Sequence, residues 1–450
     1  MKQLSLFILC CIFCISILNA QNGNGSFAPQ LPWANNATIY EVNLRQYTKE
    51  GNFNAFAQHL DRLERLGVKI LWFMPIQPIG VKNRKGSLGS YYAVKDYTGI
   101  NPALGSKKDF KALVKKCHEM GFKVVIDWVA NHSAPDNLWV KKHPDWYFHD
   151  STGKVLPPQG TDWWDVAKLN YDKMDMRKAM IKSMEYYVKK FDIDGFRCDV
   201  AGDVPIDFWN EASQKLNKIK PVIMLAEWES PTAFSAFNMD YGWEFHHILT
   251  KIASGDKKLV DLDTFLQQHE MKYPATSIQM NFVTNHDENS WNGTIKEKFG
   301  PLGDAFTALT FVWPGMPLIY TGQESDLQRR LAFFDKDSIV WKDFSKQEFL
   351  SKLVKLKKEN KALASINGGK LVRLKTPTDE AIYAFSRIKD KDQVLFFMNT
   401  TPNKTQVNFT SDLLSNTFTD IITGEKIILN KGNNEIRLPG FGFLILETSK

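Results

Sequence analysis

The run Lys123-Val124-Val125-Ile126-Asp127-Trp128-Val129-Ala130-Asn131-His132 is apolar without alternation through Ile126, then turns acidic and polar. A strand that is apolar on both faces is covered on both faces, as in a parallel sheet flanked by helices. The polar end is where such a sheet carries its chemistry. Working outward, the same unit recurs. Strands are predicted over 39–44, 70–74, 193–199, 222–226, 235–238, 279–284 and 317–320, with the opening run supplying 123–128. Helical patterns fall between them, over 53–66, 107–120, 174–191, 205–216 and 304–312. Phe56, Leu60, Leu63 and Leu66 show the three-to-four spacing of a buried helix face. Eight strands alternating with helices predict a parallel (β/α)8 barrel.

Two segments depart from that pattern. Residues 132–171 are long, polar and irregular, and hold Trp139, Trp146, Trp163 and Trp164. A loop of this length inside a compact domain has a task or forms a small domain of its own. From about Gly368 the pattern becomes short strands split by turns such as Lys431-Gly432-Asn433-Asn434. Strands at 370–374, 381–386, 393–399, 406–409, 435–438 and 442–447 predict an appended antiparallel sandwich. The domain plan is therefore a leader at 1–20, a barrel at 21–367 with an insertion at 132–171, and a sandwich at 368–450.

The chain has 450 residues, 43% hydrophobic and 24% charged, which is ordinary globular composition. Net charge is +7, from 57 basic and 50 acidic residues without a basic block. That describes a solvated surface and gives no reason to expect a nucleic-acid partner. Residues 1–20 start with Lys2, continue as an apolar run from Leu4 to Leu18 and end in Ala20, which reads as a secretory signal peptide. The run is too short for a membrane span. Lipid anchoring at Cys10, Cys11 or Cys14 is the alternative, but no small residue precedes any of them except a cysteine. The protein is expected to be secreted or periplasmic and to act as a monomer. Beyond the leader only Cys117 and Cys198 remain, read as buried thiols rather than a bridge.

Barrel enzymes place reactive groups just past the C-terminal ends of their strands. At those ends stand Asp127, Asn131 and His132, then Arg197 and Asp199, then Glu227, then His286 and Asp287, with Tyr92 beyond the second strand. One Asp at a strand end is most often a helix cap, but capping does not account for the whole set. Paired carboxyls suit glycoside hydrolysis, where one acts as nucleophile and one as acid. No serine elbow or His-Glu-x-x-His motif supports acyl transfer or zinc proteolysis.

Asp127 to His132, Gly195 to Asp199, Leu225-Ala226-Glu227-Trp228 and Phe282 to Asp287 together resemble the four ordered signature regions of the α-amylase family, glycoside hydrolase family 13. Met316 to Glu324 resembles its eighth-strand region. The resemblance spans about Thr38 to the C-terminus and implies that 132–171 is the family's domain B. It implies Asp199 as nucleophile, Glu227 as acid/base and Asp287 as the carboxylate that grips sugar hydroxyls. Arg197 would orient Asp199, His132 and His286 would bind hydroxyls, and Tyr92 would form the stacking floor. Asp127 and Asn131 would support.

The implied activity is retaining cleavage of α-1,4 bonds in starch, glycogen or maltooligosaccharides. The alternatives are an α-glucosidase, cyclomaltodextrinase or transglycosylase of the same family, or a catalytically dead sugar-binding barrel. One or two of Trp139, Trp163 and Trp164 are expected to touch substrate. Many members hold calcium through an Asn of the first region, an Asp in domain B and a His after the nucleophile strand. Here Asn131 fits the first, Lys168 stands at the second, and no His occurs in Val200-Ala201-Gly202-Asp203. No cofactor or metal is therefore expected at that position, and Lys168 would take over the crosslink. Asp162, Asp165 and Asp203 leave a cation site elsewhere open.

Overall fold

A computed structural model describes residues 28–413 and 416–448. The leader reading at 1–20 lies outside the described residues. Within them, β1 (Ile39–Val42), β2 (Ile70–Phe73) and β3 (Lys123–Val129) are followed by a two-residue pair, β4 (His132–Ser133) and β5 (Ala167–Lys168). Then come β6 (Gly195–Asp199), β7 (Ile223–Ala226), β8 (Met239–Tyr241), β9 (Ile278–Asn281) and β10 (Met316–Tyr320). Eight of these close a barrel in the order β1-β10-β9-β8-β7-β6-β3-β2, every pair parallel. The hairpin of β4 and β5 forms the root of the insertion after β3, with His132 opposite Lys168.

Period-two alternation sorts the strands by face. Ile39, Ile70, Val125, Ile223, Ile278 and Met316 pack together inside the barrel. Two residues further along each strand the inward positions become Glu41, Trp72, Asp127, Leu225, Met280 and Leu318, so polar groups enter the interior near its C-terminal end. The outward residues Tyr40, Leu71, Val124, Ile126 and Phe196 join the core beneath the helices.

The sixth barrel strand sits later than the sequence suggests. Residues 231–235 form a 3-10 turn after Pro231, and Asn238 caps β7 by accepting from Met224 N at 2.8 Å, so pairing starts only at Met239. The long helix predicted at 53–66 is split into Phe53–Phe56, a 3-10 turn at Ala57–His59 and Leu60–Leu66.

Beyond the barrel, β11 (Leu371–Arg373), β12 (Ile382–Lys389), β13 (Asp392–Asn399), β14 (Thr405–Ser411), β15 (Thr417–Asp420), β16 (Lys426–Ile428), β17 (Gly432–Leu438) and β18 (Phe443–Thr448) build an antiparallel unit. Its six-stranded sheet runs β11-β12-β13-β18-β15-β16, and β14 pairs with β17. Phe397, Phe409, Phe418, Leu438 and Leu446 fill its own core. The opposite face of β12 and β13, with Tyr383, Phe385 and Phe396, is continuous with the barrel core. β15 and β16 escape a sequence reading because they are only four and three residues long. Among the described residues, no helix is long and apolar enough to cross a membrane.

Candidate active site

Adjacent strands bring the candidate residues into register. Asp127 on β3 pairs with Arg197 on β6, and Val129 with Asp199. Arg197 and Asp199 are two apart and so share the inward face. Arg197 is fully buried. Its Nη1 donates to Asp127 Oδ1 and to Asp199 Oδ1, both at 3.0 Å. Its Nη2 donates to Glu227 Oε1 at 2.5 Å, and Nε donates to the Tyr241 hydroxyl at 3.0 Å. One planar guanidinium thus ties three carboxyls from three strand ends.

Glu227 follows β7, and its backbone N–H donates to Cys198 O at 3.0 Å. Its second oxygen accepts from Val200 N at 2.7 Å. That bond requires Val200 to turn sharply after β6, at φ 44° and ψ 45°. A β-branched residue in the left-handed region is strained by ~1–3 kcal/mol, and such strain gathers at functional sites. Asp199 Oδ2 is buried and has no hydrogen-bond partner among the described residues. His132 Nε2 lies 3.9 Å from it. The other ring nitrogen of His132 faces Asn131 Nδ2 at 3.2 Å, which places the ring proton on Nε2.

Asp287 stands after β9. Its Oδ2 is 3.1 Å from His286 Nε2, and His286 Nδ1 is 2.5 Å from Glu41 Oε1. The Tyr92 hydroxyl lies 2.7 Å from His286 Nε2 and donates to Asp127 Oδ2 at 3.1 Å, which Trp72 Nε1 also approaches at 3.3 Å. Tyr92 stacks on His286 with ring centroids 5.5 Å apart and an interplanar angle of 22°. Asp199, Glu227, Asp287, Tyr92 and His132 line one cavity of about 830 Å³. Arg197, His286, Asp127 and Asn131 sit behind that surface, all buried.

The charges are set by burial and by partners. Burial pushes the Asp199 carboxyl up, the Glu227 charge adds to that, and Arg197 opposes both. Burial pushes Asp127 up to about 6 against the pull of Arg197 and His286. Burial raises Asp287 too, but His286 and Arg197 outweigh it and hold the group below its ordinary range. Burial, helped by Lys168, lowers His132 to about 3, which favours a neutral ring above that pH.

Sequence reasoning missed several parts of this wall. Glu41 and Trp72 reach the site from within their strands, and Tyr241 from the end of β8. Phe333 stacks beside Tyr92 at 6.1 Å, and Phe334 and Trp291 extend the rim. Trp163 and Trp164 line the cavity, whereas Trp139 packs on Tyr97 and Trp146 as core. A larger void of about 960 Å³ lies near the starts of β7 and β9 and holds none of these carboxyls.

The donor set at the family's calcium position does not fit that ion. Lys168 Nζ bonds Asn131 Oδ1 and also reaches the Asp203 carbonyl at 3.3 Å. An ammonium already sits among those oxygens, whereas calcium asks for six to eight oxygen ligands.

The sequence profile of the α-amylase catalytic domain matches residues 19–365, and that of the maltogenic amylase C-terminal domain matches residues 372–445. The α-amylase MalA of Haloarcula japonica is 26% identical over 415 residues, covering 87% of this chain. The chain spans 59% of that relative's length. A maltogenic α-amylase of Bacillus acidopullulyticus is 27% identical, covering 95% of this chain and 75% of its own. Among solved structures, an α-amylase from Lactobacillus plantarum superposes with a TM-score of 0.83 at 29% identity, covering 93% of this chain and 100% of its own. The noncanonic maltogenic α-amylase AmyB from Thermotoga neapolitana gives 0.83 at 30%, with the same coverage. With the catalytic-domain match running the length of a closed barrel whose strand ends converge on one carboxyl-lined cavity, the chain belongs to the α-amylase family of glycoside hydrolases.

Proposed function

We propose that the chain hydrolyses α-1,4-glucosidic bonds of starch, glycogen or maltooligosaccharides with retention of configuration. Asp199 acts as nucleophile, Glu227 as acid/base and Asp287 as the grip on sugar hydroxyls. The observation that carries this reading is the guanidinium shared by Asp199 and Glu227 at one cavity wall, with Asp199 Oδ2 unpartnered. Retention uses carboxyls about 5–5.5 Å apart and inversion ~6.5–9.5 Å, and the shared guanidinium keeps this pair close. Glu227 gives its proton to the glycosidic oxygen as Asp199 Oδ2 bonds the anomeric carbon. Glu227, now ionised, then takes a proton from water, which displaces Asp199 and restores both groups. Tyr92 forms the floor under the sugar. Trp163, Trp164 and Trp291 offer ring faces to further glucosyl units.

The anomer of the first product tests the reading. Proton NMR of fresh hydrolysate should show the α-anomer before mutarotation, and an initial β-anomer would overturn retention. Asp199→Asn should lower turnover by several orders of magnitude with the melting temperature nearly unchanged. A second reading, action on short or cyclic maltooligosaccharides, is favoured by the maltogenic C-terminal match and by a Bacillus relative named cyclomaltodextrinase, 26% identical over 387 residues. Product profiles from maltoheptaose and soluble starch separate the two.

Two further readings complete the proposal. The protein works without calcium at the domain B root, Lys168 taking that place. It is exported, and residues 1–20 are removed. Mass spectrometry of exported protein should read a start near Gln21, and a lipid-modified N-terminal cysteine would refute it.

A further inference from the structure

Glu41 has no part in the roles assigned above, yet it stands fully buried on β1 with its side chain inside the barrel. Its Oε1 lies 2.5 Å from His286 Nδ1, and its Oε2 has no hydrogen-bond partner among the described residues. We propose that Glu41 is a positioning residue that holds His286 as a doubly protonated imidazolium, and thereby fixes Asp287 in its ionised, gripping orientation.

The argument is one of hydrogen-bond direction. Tyr92 has one hydroxyl proton, and Asp127 Oδ2, an acceptor at 3.1 Å, takes it in preference to a ring nitrogen that also faces Asp287. The same hydroxyl can then only accept from His286 Nε2, 2.7 Å away. Asp287 Oδ2, at 3.1 Å, is a second acceptor facing that nitrogen. Nε2 therefore carries a proton. On the far side of the ring, Nδ1 faces Glu41; burial pushes that carboxyl up while His286 and Arg197 pull it down, and an ionised Glu41 calls for a proton on Nδ1 as well. A neutral imidazole would leave either Nδ1 against Glu41 or Nε2 against Tyr92 and Asp287 without a proton between two acceptors. The alternative is that the second proton rests on Glu41.

Charge balance points the same way. Glu41, Asp127, Asp199, Glu227 and Asp287 crowd around Arg197 and His286. If the ring were neutral, a single guanidinium would have to offset this whole group of carboxyls. A second cation between Glu41 and Asp287 offsets two of them at contact distance. Among the described residues, the other titratable groups that reach this cluster are hydroxyls, Tyr92 against the ring and Tyr241 and Tyr320 near Glu41, and burial keeps all three protonated. Asp287 and Glu41 raise His286 strongly against its burial.

This inference rests on the cavity being the active site, but its test reads the ring and not the substrate. In full-length protein labelled with ¹⁵N-histidine, long-range proton–nitrogen spectra separate protonated from bare ring nitrogens. A His286→Gln sample assigns the signal among nine histidines. At pH 8, where an ordinary histidine is neutral, His286 should show two protonated nitrogens. One bare nitrogen in the wild type overturns the proposal and puts the proton on Glu41. Glu41→Gln keeps an acceptor for Nδ1 and removes the charge. It should move the His286 titration down by two or more pH units. It should also cut kcat/KM more than tenfold at pH 8 and only a few-fold at pH 5, where the ring is protonated again. An equal loss at both pH values would mean a structural role and overturns it. An imidazolium in a protein that leaves α-glucans intact would sink the functional reading and spare this one.

Discussion

Arg197 shows how much one side chain can settle. Its four donor contacts run to Asp127, Asp199, Glu227 and Tyr241, and three aromatic rings surround its guanidinium carbon, Trp72 at 5.2 Å, Tyr241 at 5.5 Å and Tyr92 at 5.8 Å. A lysine supplies a point charge where a planar fork is needed. Arg197→Lys should leave at least one buried carboxylate unpaired, a loss on the order of 3–5 kcal/mol. Urea denaturation would read it, and a variant within ~1 kcal/mol of wild type would contradict this account of the site. At the rim the opposite holds. Trp164 is 56% exposed and carries Lys85 over its ring at 4.2 Å, so Trp164→Ala should raise KM for long glucans several-fold with kcat little changed. The strand-end acids were legible in the sequence because each closes an apolar run. Glu41 was not, since inside Ile39-Tyr40-Glu41-Val42 a lone acid reads as the solvent face of an alternating strand. Only barrel closure turns that face inward. Phe333 and Phe334 come from an irregular stretch after β10 that has no period to read.

At the scale of the element, the connection after β7 carries an unusual burden. Glu229 Oε1 accepts from Gln279 Nε2 on β9 at 3.0 Å, and Oε2 accepts from Glu244 N at 2.7 Å, at the start of the helix Trp243–Ser254. Asp240 on β8 lies beside it, fully buried, and accepts from Ser230 N at 3.2 Å. Burial drives Glu229 from 4.5 up to about 7. A raised folded-state value means that the native state holds more protons than the unfolded chain between those limits. The stabilisation is therefore complete below about pH 4.5 and is lost as pH rises through about 7. At ~1.4 kcal/mol per unit it amounts to about 3 kcal/mol at most. Glu229→Gln should flatten the stability loss across that window, measured by urea midpoints at several pH values. An unchanged slope would show that the proton is not held there. This element also marks where element-level reading fails. Met239-Asp240-Tyr241 is too short and too polar to register as a strand. The helix Trp243–Ser254 follows it with only a glycine between, so neither shows a clear boundary. The helix Met174–Phe191, with eighteen periodic residues, has the same bounds in the sequence pattern and in the structure.

For the whole molecule, the open question is what fastens the insertion to the barrel. The β4–β5 pair is only two residues long, so backbone pairing alone makes a weak root. Lys168 ends it and reaches Asn131, past the end of β3, and the Asp203 carbonyl, past the end of β6. One ammonium therefore joins three segments, the task that the family resemblance gives to a calcium ion. Burial lowers the Lys168 affinity for its proton, and the Asp203 charge resists that change. Two oxygens are already committed to the ammonium, and a divalent cation would have to displace it against its charge. Excess EDTA should accordingly change neither activity nor melting temperature. Lys168→Met keeps most of the stem and removes the donor, leaving Asn131 Oδ1 buried without a partner, at a cost of ~1–3 kcal/mol. The melting temperature should fall by a few degrees, and activity should fall with it, because Asn131 also sets His132 beside Asp199. Calcium should rescue neither loss. A large drop with EDTA that calcium restores in the wild type would refute the crosslink and place a cation at this root after all.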